Sequence, residues 1–222
     1  MVLSWKEFLL IGRLRASVHC AAAIVSLIHR CLSDSAAPVR RRAAFALSKL
    51  APLQPRLDPL LSELATMVEG SASFIESGVR EAAAYALCGI LETEVHDKAK
   101  SFLSGTKLNS AVTTLVSEPE EELRAGIARL YAHLMDPSEI LTQASARDLP
   151  AAIWESRHGL ALALENMLKL GKSTVETIDW KMLQKALGFE AADDRVPIRA
   201  SAAAAAGFAI SRFASSSIRR PS

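Results

Sequence analysis

A short pattern recurs along this 222-residue chain: an apolar residue, an arginine and then an alanine-rich stretch. In the second copy, Val79 and Arg80 are followed by Ala83. Successive arginines are separated by about 33 to 44 residues, which brackets the period of two-helix HEAT and armadillo repeats. The sequence therefore predicts an all-α solenoid of HEAT or armadillo type with about five helix pairs. The repeated arginines are Arg40, Arg80, Arg124, Arg157 and Arg199, and Arg157 marks a weaker copy because it follows serine.

Composition supports helices that pack closely. Apolar residues make up 50% of the chain and aromatic residues only 5%. Small side chains such as alanine favour helix packing, whereas strands are rich in β-branched and aromatic residues. We therefore expect essentially no sheet. Because a solenoid stacks each repeat on its neighbours and presents a long surface, this fold favours macromolecular binding over catalysis.

Charge and cysteine content narrow the function classes. The net charge of +2 indicates no nucleic-acid partner by itself, and no basic stripe precedes the tail. The three cysteines Cys20, Cys31 and Cys88 cannot all pair, which indicates free thiols in a reducing compartment. The longest uncharged apolar stretches are shorter than a bilayer-spanning helix. The sequence therefore predicts a cytoplasmic protein with no membrane partner and no sequence-specific nucleic-acid binding.

Apolar periodicity places an amphipathic first helix before each arginine and a second helix after it. Residues 1–18 fit no repeat, 19–214 form the predicted solenoid, and 215–222 form a basic, serine-rich tail that we expect to be disordered. The predicted pairs are 19–32 with 39–50, 57–68 with 78–91, part of 98–116 with 120–134, 138–146 with 151–170, and 175–187 with 196–213. The third first helix is expected to be interrupted near Ser104 and Gly105.

The repeated arginines require a partner, because a cation at the amino end of a helix opposes the helix dipole. An acidic residue precedes most of them, namely Asp34, Glu76, Glu120 and Asp194. We expect acids and arginines of successive repeats to pair as a ladder that fixes the stacking. A sharper alternative is that some of the arginines contact a partner protein.

Sequence motifs for chemistry fail on inspection. Residues 170–174 resemble the end of a phosphate-binding loop, but the first glycine of that motif is missing and a helix precedes it. We expect Gly171 to end a helix there, and Ser173 or Thr174 to cap the next one. Histidines and cysteines of the first predicted helix are too far apart along its axis to share a metal ion. The sequence predicts no catalytic residue, no cofactor, no metal and no small-molecule substrate.

The most unusual local trio is Arg157-His158-Gly159, because glycine inside a helix indicates close approach by a neighbour. We expect tight helix packing at Gly159 and a surface position for His158. The candidate ladder or partner-contact residues are Arg40, Arg80, Arg124, Arg157, His158, Gly159, Arg195 and Arg199.

Five blocks of the chain resemble, in the same order, the carboxyl-terminal HEAT region of the general-control translational activator family. The most specific are W-E-S-R-H-G-L-A-L-A-L at 154–164 and A-D-D-R-V-P-I-R at 192–199, which leads into Gly207-Phe208. The other three are 39–50, 57–64 and 78–81. The resemblance implies a scaffold that performs no chemistry. It also implies two partners, the ribosome and the amino-terminal domain of the starvation-responsive kinase of translation initiation factor 2.

The sequence departs from the family pattern at Leu160-Ala161, where the family has R-S after R-H-G. Repeats expected after Phe208 are missing, so we expect either a piece of a larger protein or a short relative.

Two other functions compete with the ribosome scaffold. One is a HEAT adaptor in transport or proteasome assembly. The other is a HEAT-like enzyme acting on nucleic acid, which the scattered tryptophans Trp5, Trp154 and Trp180 disfavour.

Overall fold

A computed structural model describes residues 26, 28–54, 56–70, 75–171 and 178–217, apart from the side chains of 150 and 212–217. The described part of the chain folds into α-helices, short 3-10 helices and turns, and no strand occurs within it. The predicted fold class is therefore confirmed. The predicted segment 1–18 and most of the predicted helix 19–32 lie outside the described residues, as do 218–222.

Ten complete α-helices are described, preceded by a helical stretch that ends at Cys31. The helices are α1 (Ala37–Leu50), α2 (Asp58–Glu69), α3 (Ser77–Leu91), α4 (His96–Ser104), α5 (Lys107–Leu115), α6 (Glu121–Leu134), α7 (Pro137–Ala144), α8 (Trp154–Leu170), α9 (Trp180–Ala191) and α10 (Val196–Ser217). A short 3-10 helix at Ala51–Leu53 follows α1, and another at Leu149–Ala151 precedes α8.

Helix ends follow from local chemistry. Pro38 occupies the first turn of α1. Backbone amides in that turn have no acceptor within the helix, so the missing amide proton of proline costs no hydrogen bond. Gly70 and Gly171 have φ values of 65° and 74° and end α2 and α8 in the left-handed conformation that glycine adopts most easily. The predicted stop at Gly171 is thus confirmed. The predicted interruption at 104–105 is also confirmed, since α4 ends at Ser104 and α5 begins at Lys107.

The fifth first helix begins later than its predicted start at 175. Asp179 caps α9, and its Oδ1 accepts hydrogen bonds from the backbone amides of Lys181 and Met182 at 3.0 Å. This cap, missed in the sequence, places the start at Trp180. The predicted caps Ser173 and Thr174 lie outside the described residues. At the other end, α10 extends to Ser217, so the predicted domain boundary at 214 falls inside a helix.

The chain divides into two compact units, residues 1–102 and 103–222. In the first unit α1 packs along α3, and α2 packs against α3. Leu47, Leu61 and Leu87 are completely buried between these helices. A second helix of one repeat therefore lies beside the second helix of the next, which is the stacking expected of HEAT repeats.

The second unit repeats this arrangement with more helices. The second helices α6, α8 and α10 lie side by side, and their first helices α5, α7 and α9 pack against them in turn. Its core includes the fully buried Leu130, Leu164 and Ala205. The prediction that 19–214 form one repeat domain stays a prediction.

Two further findings concern the described residues alone. None of their helices has the length and apolar character needed to cross a membrane. Neither the half-buried Cys31 nor the buried Cys88 forms a disulfide, as the sequence predicts, while Cys20 lies outside the described residues.

Candidate functional site

The repeated arginines lie in the first turns of their helices, and most of their side chains contact residues that precede those helices. Arg40, Arg124 and Arg199 each donate from Nη1 to the carbonyl oxygen six residues upstream, at distances of 2.8, 2.6 and 2.8 Å. Those carbonyls belong to the turn that joins the two helices of the repeat. The guanidinium therefore fastens the turn to the second helix, and the carbonyl oxygens offset its unfavourable position at the positive end of the helix dipole.

Arg80 uses a related geometry, because a longer connection precedes its helix. Its Nε donates to the carbonyl of Val68 at 3.1 Å, close to the carboxyl end of α2. The carbonyls at that end carry the negative pole of the helix dipole, so a cation there is favourable. A Cβ on Gly70 would lie 3.0 Å from the Nε of Arg80, which shows how closely the arginine packs on this cap.

Three of the arginines also bond to the following repeat. In the first unit, the Nε of Arg40 donates to the carbonyl of Gly78 at 3.0 Å. In the second, the Nε of Arg124 donates to Nδ1 of His158 at 3.2 Å. Arg157 pairs through its Nε with Asp193 at 3.0 Å and approaches Asp194 at 3.9 Å. These contacts form a series of bonds from one repeat to the next within each unit.

The chemistry of these contacts differs from the predicted ladder of acids and arginines. The partners of Arg40, Arg80 and Arg124 described above are backbone carbonyls and an imidazole, whereas Arg157 has the expected carboxylates. Asp34 has another task, since its Oδ1 accepts a hydrogen bond from the amide of Ala36 at 2.8 Å within the turn. Acidic residues before the arginines therefore shape the turns as much as they neutralise charge.

The second unit contains a buried polar cluster around Arg124, which is 0% exposed. Its Nη1 donates to the carbonyls of Glu118 and Pro119, and its Nη2 lies 3.1 Å from Nδ1 of His158. The guanidinium carbon lies 4.7 Å from the ring centroid of the half-buried Trp154. The ring of His158 in turn stacks on Trp154, with 6.0 Å between centroids. The R-H-G block is therefore joined to α6 through Arg124.

Burial sets the protonation state of this cluster. The pKa of His158 is lowered by its burial and by the positive charge of Arg124, against the opposing influence of Glu121. A neutral imidazole leaves Nδ1 free to accept hydrogen bonds from Arg124. Burial also lowers the pKa of Arg124, although its guanidinium stays charged at neutral pH. His158 is only 3% exposed, so the expectation that it lies at the surface was wrong.

Trp154 joins the cluster to the next repeat as well. The guanidinium carbon of Arg195 lies 5.6 Å from the centroid of the Trp154 ring, so two arginines approach the same indole. The side chain of Arg195 is exposed, unlike that of Arg124. This arrangement brings together the two most specific sequence blocks, 154–164 and 192–199, at one edge of the second unit.

Gly159 confirms the prediction of close approach inside a helix. A Cβ at this position would lie 1.9 Å from the carbonyl oxygen of Val116, which follows α5. Because that obstacle is backbone and not a flexible side chain, α8 and the segment after α5 would have to separate to accept any other residue. Glycine is a poor helix former, but at position 159 it allows the two repeats to pack closely.

We expect Gly159→Ala to lower the free energy of unfolding by about 1–3 kcal/mol through overpacking. The matched control is Gly188→Ala in α9, where a Cβ would meet no heavy atom within 4 Å. That substitution is expected to stabilise the chain by about 0.5–1 kcal/mol, since alanine is the better helix former. Urea unfolding of the two variants followed by circular dichroism checks the pair. Equal effects of the two alanines would contradict the packing role assigned to Gly159.

Sequence reasoning missed two residues of this region. Trp154 was named as the first residue of the block 154–164 and as one of three scattered tryptophans, but no contact was assigned to it, although its position four residues before His158 places both on one helical face. Glu190 was not singled out, and no spacing or motif signals that it is 2% exposed in the structure. Arg199 was expected in the ladder; it bonds to its own turn through Asp193, and its side chain is otherwise exposed.

Comparison with known proteins gives weak similarity over most of the chain. A segment of Protein ILITYHIA from Arabidopsis thaliana is 28% identical over 186 residues, covering 80% of this chain. The Stalled ribosome sensor GCN1 of Mus musculus is 26% identical over 194 residues, and that of Homo sapiens 27% over 186, each covering 81% of this chain. No family model matches the sequence.

The chain is similar, at low identity, to a segment of GCN1. It spans 7% of the length of each of these relatives, so the similarity concerns a short stretch of very long proteins. Together with the helix pairs of the structure, the similarity is consistent with a HEAT-repeat region of the GCN1 type.

Proposed function

We propose that this chain is a non-catalytic scaffold of translational control that associates with ribosomes. The observation that supports it is the similarity over 81% of the chain to two proteins named Stalled ribosome sensor GCN1. The helix-pair fold agrees with this role, because stacked repeats present an extended binding surface. In the same proposal the protein works in the cytoplasm and binds the kinase of translation initiation factor 2 in the amino-acid starvation response.

The geometry of the arginines divides them between two roles in this proposal. Arg40, Arg80 and Arg124 hold turns and neighbouring repeats, so their guanidinium groups are engaged inside the fold. Arg195, which approaches the Trp154 ring, and Arg199 both have exposed side chains near the start of α10. We assign the contact with the ribosome to this edge of the second unit, where exposed cations can meet a negatively charged partner.

Sucrose-gradient sedimentation of native lysate tests the association with ribosomes. An antibody against residues 107–190 detects the protein in the fractions. We expect the protein to migrate with ribosomes. This co-migration should be lost when nuclease digestion breaks the ribosomes down and releases their proteins. A signal confined to the top of the gradient would contradict ribosome association and leave a HEAT adaptor of another system, such as transport or proteasome assembly, as the better reading.

A variant pair tests the assigned edge. We expect Arg195→Ser combined with Arg199→Ser to weaken co-sedimentation of the purified 222-residue chain with ribosomes severalfold, most strongly at low salt. The control combines Arg42→Ser with Lys107→Ser, which removes the same charge from two other exposed positions. Equal loss in the two double variants would show that net charge alone drives the association.

Pull-down with the purified amino-terminal domain of the kinase tests the second partner separately.

A further inference from the structure

The second unit contains a cavity of about 400 Å³ between α8, α9 and the turn that leads into α10. This volume lies within the range of pockets that bind small ligands and protein side chains. One part of its wall is apolar and is formed by Leu149, Phe189 and Ile198. The rest of the lining is mostly charged, and the two kinds of wall together suit a group with an apolar stem and an ionic end.

The charged wall carries more negative than positive groups. Glu190, Asp193 and Asp194 line it together with a single cation, Arg157. Arg157 is already paired with Asp193 at 3.0 Å. Asp194 lies 3.9 Å from Arg157 and its side chain is 85% exposed, so it stands at the mouth of the cavity. The wall therefore has negative charge in excess of what Arg157 neutralises.

Glu190 is the unexpected member of this wall. It is only 2% exposed, and neither of its carboxylate oxygens has a hydrogen-bond partner among the described residues. Burial raises the pKa of Glu190 to about 8. A buried carboxyl group without a partner destabilises a fold, so a position that lines a cavity suggests a ligand that supplies the missing partner.

We propose that this cavity receives a lysine side chain of a partner protein, with its ammonium group bound by Glu190 and Asp194. The four-carbon stem of the lysine lies along Leu149, Phe189 and Ile198. A rotation of the Glu190 side chain brings its carboxylate to the ammonium group. The contact would place a basic segment of the partner across the turn between α9 and α10.

Lysine fits this wall better than arginine. An arginine guanidinium makes its strongest contacts with two parallel hydrogen bonds to one carboxylate, and Asp193 is already engaged by Arg157. A compact ammonium group on a flexible stem can reach a recessed carboxylate without that geometry. The occupant is therefore defined by charge, stem length and headgroup shape.

Binding of the ammonium group requires ionised Glu190, so affinity should rise as the pH passes through the pKa of about 8. Arg157, Asp193 and Asp194 share the cavity with Glu190. The helices packed on α9 contribute Glu139 of α7 and Arg199 of α10 as their charged residues with described side chains. Both have exposed side chains.

Fluorescence anisotropy of a fluorescein-labelled octalysine, titrated with the 222-residue chain at pH 8.5, tests the proposal. We expect Glu190→Gln to weaken binding about tenfold. The control Glu139→Gln removes the same charge from an exposed position of the same unit and should change affinity less than twofold. Octaornithine, whose stem is one carbon shorter, should bind more weakly than octalysine, and octaarginine should not bind more tightly.

A second pair of variants blocks the cavity without changing charge. Ala192 lines the cavity and is exposed, while the adjacent Ala191 is exposed outside the lining. Ala192→Phe is expected to abolish the preference for octalysine over octaornithine, and Ala191→Phe to retain it. The proposal is overturned by an absence of octalysine binding, by equal losses in the two glutamine variants, or by indifference to stem length. It fails independently of ribosome association, because the probe contains no ribosomal component.

Discussion

Replacing Arg124 by methionine is expected to lower the free energy of unfolding by about 3–4 kcal/mol, because hydrogen bonds from a buried charged donor contribute about 1.5–3 kcal/mol each and several are lost. Methionine fills much of the volume of the arginine stem but leaves its acceptors without donors. Nδ1 of His158 is buried and accepts hydrogen bonds from Nε and Nη2 of Arg124. An unpaired buried acceptor retains its full desolvation penalty, which the packing of methionine cannot offset.

Arg199→Met is the matched control for this substitution. Arg199 donates to the carbonyl six residues upstream, as Arg124 does, but it is exposed and bonds there to Asp193. Exposed contacts of this kind contribute about 0–1 kcal/mol. Urea unfolding followed by tryptophan fluorescence measures both variants, since Trp154 and Trp180 lie in the second unit with both arginines. Equal destabilisation by the two methionines would refute the buried cluster as the source of the effect.

Arg124→Lys separates the charge from the shape of the guanidinium. Lysine keeps the charge but has a single nitrogen, so it cannot donate at once to the two carbonyls and to His158. We expect Arg124→Lys to lower the free energy of unfolding by more than Arg199→Met does and by less than Arg124→Met does. In Arg124→Met the pKa of His158 should move toward its ordinary value because one of its two depressing influences disappears, although burial remains the larger one. Nuclear magnetic resonance titration of the His158 ring measures that change.

The sequence predicts the helix pairs well because their signal is local and repeated. The 3.6-residue spacing of apolar positions, Pro38 at the start of α1 and Gly171 after α8 each act within one or two turns of helix. The start of α9 was misplaced because a stretch of ambiguous polarity precedes it and the Asp179 cap was overlooked. Local signals of this kind suffice for the fold class and for most helix ends.

The contacts of the arginines were predictable only in part. Their period indicates a structural role, but the carbonyl acceptors of Arg40 and Arg80 carry no sequence signature, because every residue has a carbonyl group. Pairing of Arg157 with Asp193 depends on how two repeats stack. Side-chain acids near an arginine in sequence are thus a poor guide to its partner when backbone oxygens compete for the same donors.

Glu190 illustrates the opposite limit. Nothing in its neighbouring sequence marks it as buried, yet the tertiary packing around α9 leaves it only 2% exposed. Burial of an ionisable group is a property of the tertiary structure, and one side chain leaves too small a trace in the helical pattern of polarity to reveal it. The energetic consequence is nevertheless large and can be measured.

The contribution of Glu190 to the stability of the chain is expected to fall as the pH rises from about 4.5 to about 8, while the lowered pKa of His158 acts in the opposite direction below about pH 6.5. The pKa of Glu190 is about 8 in the folded chain against an ordinary value of 4.5. Between these values the unfolded chain has lost the proton that the folded chain retains, so each pH unit lowers the free energy of unfolding. The stabilisation is complete below pH 4.5, and its loss amounts to about 5 kcal/mol well above pH 8.

Glu190→Gln isolates this contribution from the titration of all other groups. Glutamine has nearly the same shape and cannot ionise, so the variant and the parent should differ little at pH 4.5. The variant should then become progressively the more stable of the two, with the difference approaching about 5 kcal/mol at pH 8.5. Urea unfolding at five pH values across this range measures the difference, with Glu139→Gln as the exposed control. A difference that stays constant with pH would show that Glu190 ionises normally, and the cavity would then lack the recessed carboxyl group on which lysine binding depends. A difference that grows as expected would mean that the fold tolerates a destabilising carboxyl group at this site, which is typical of residues retained for binding.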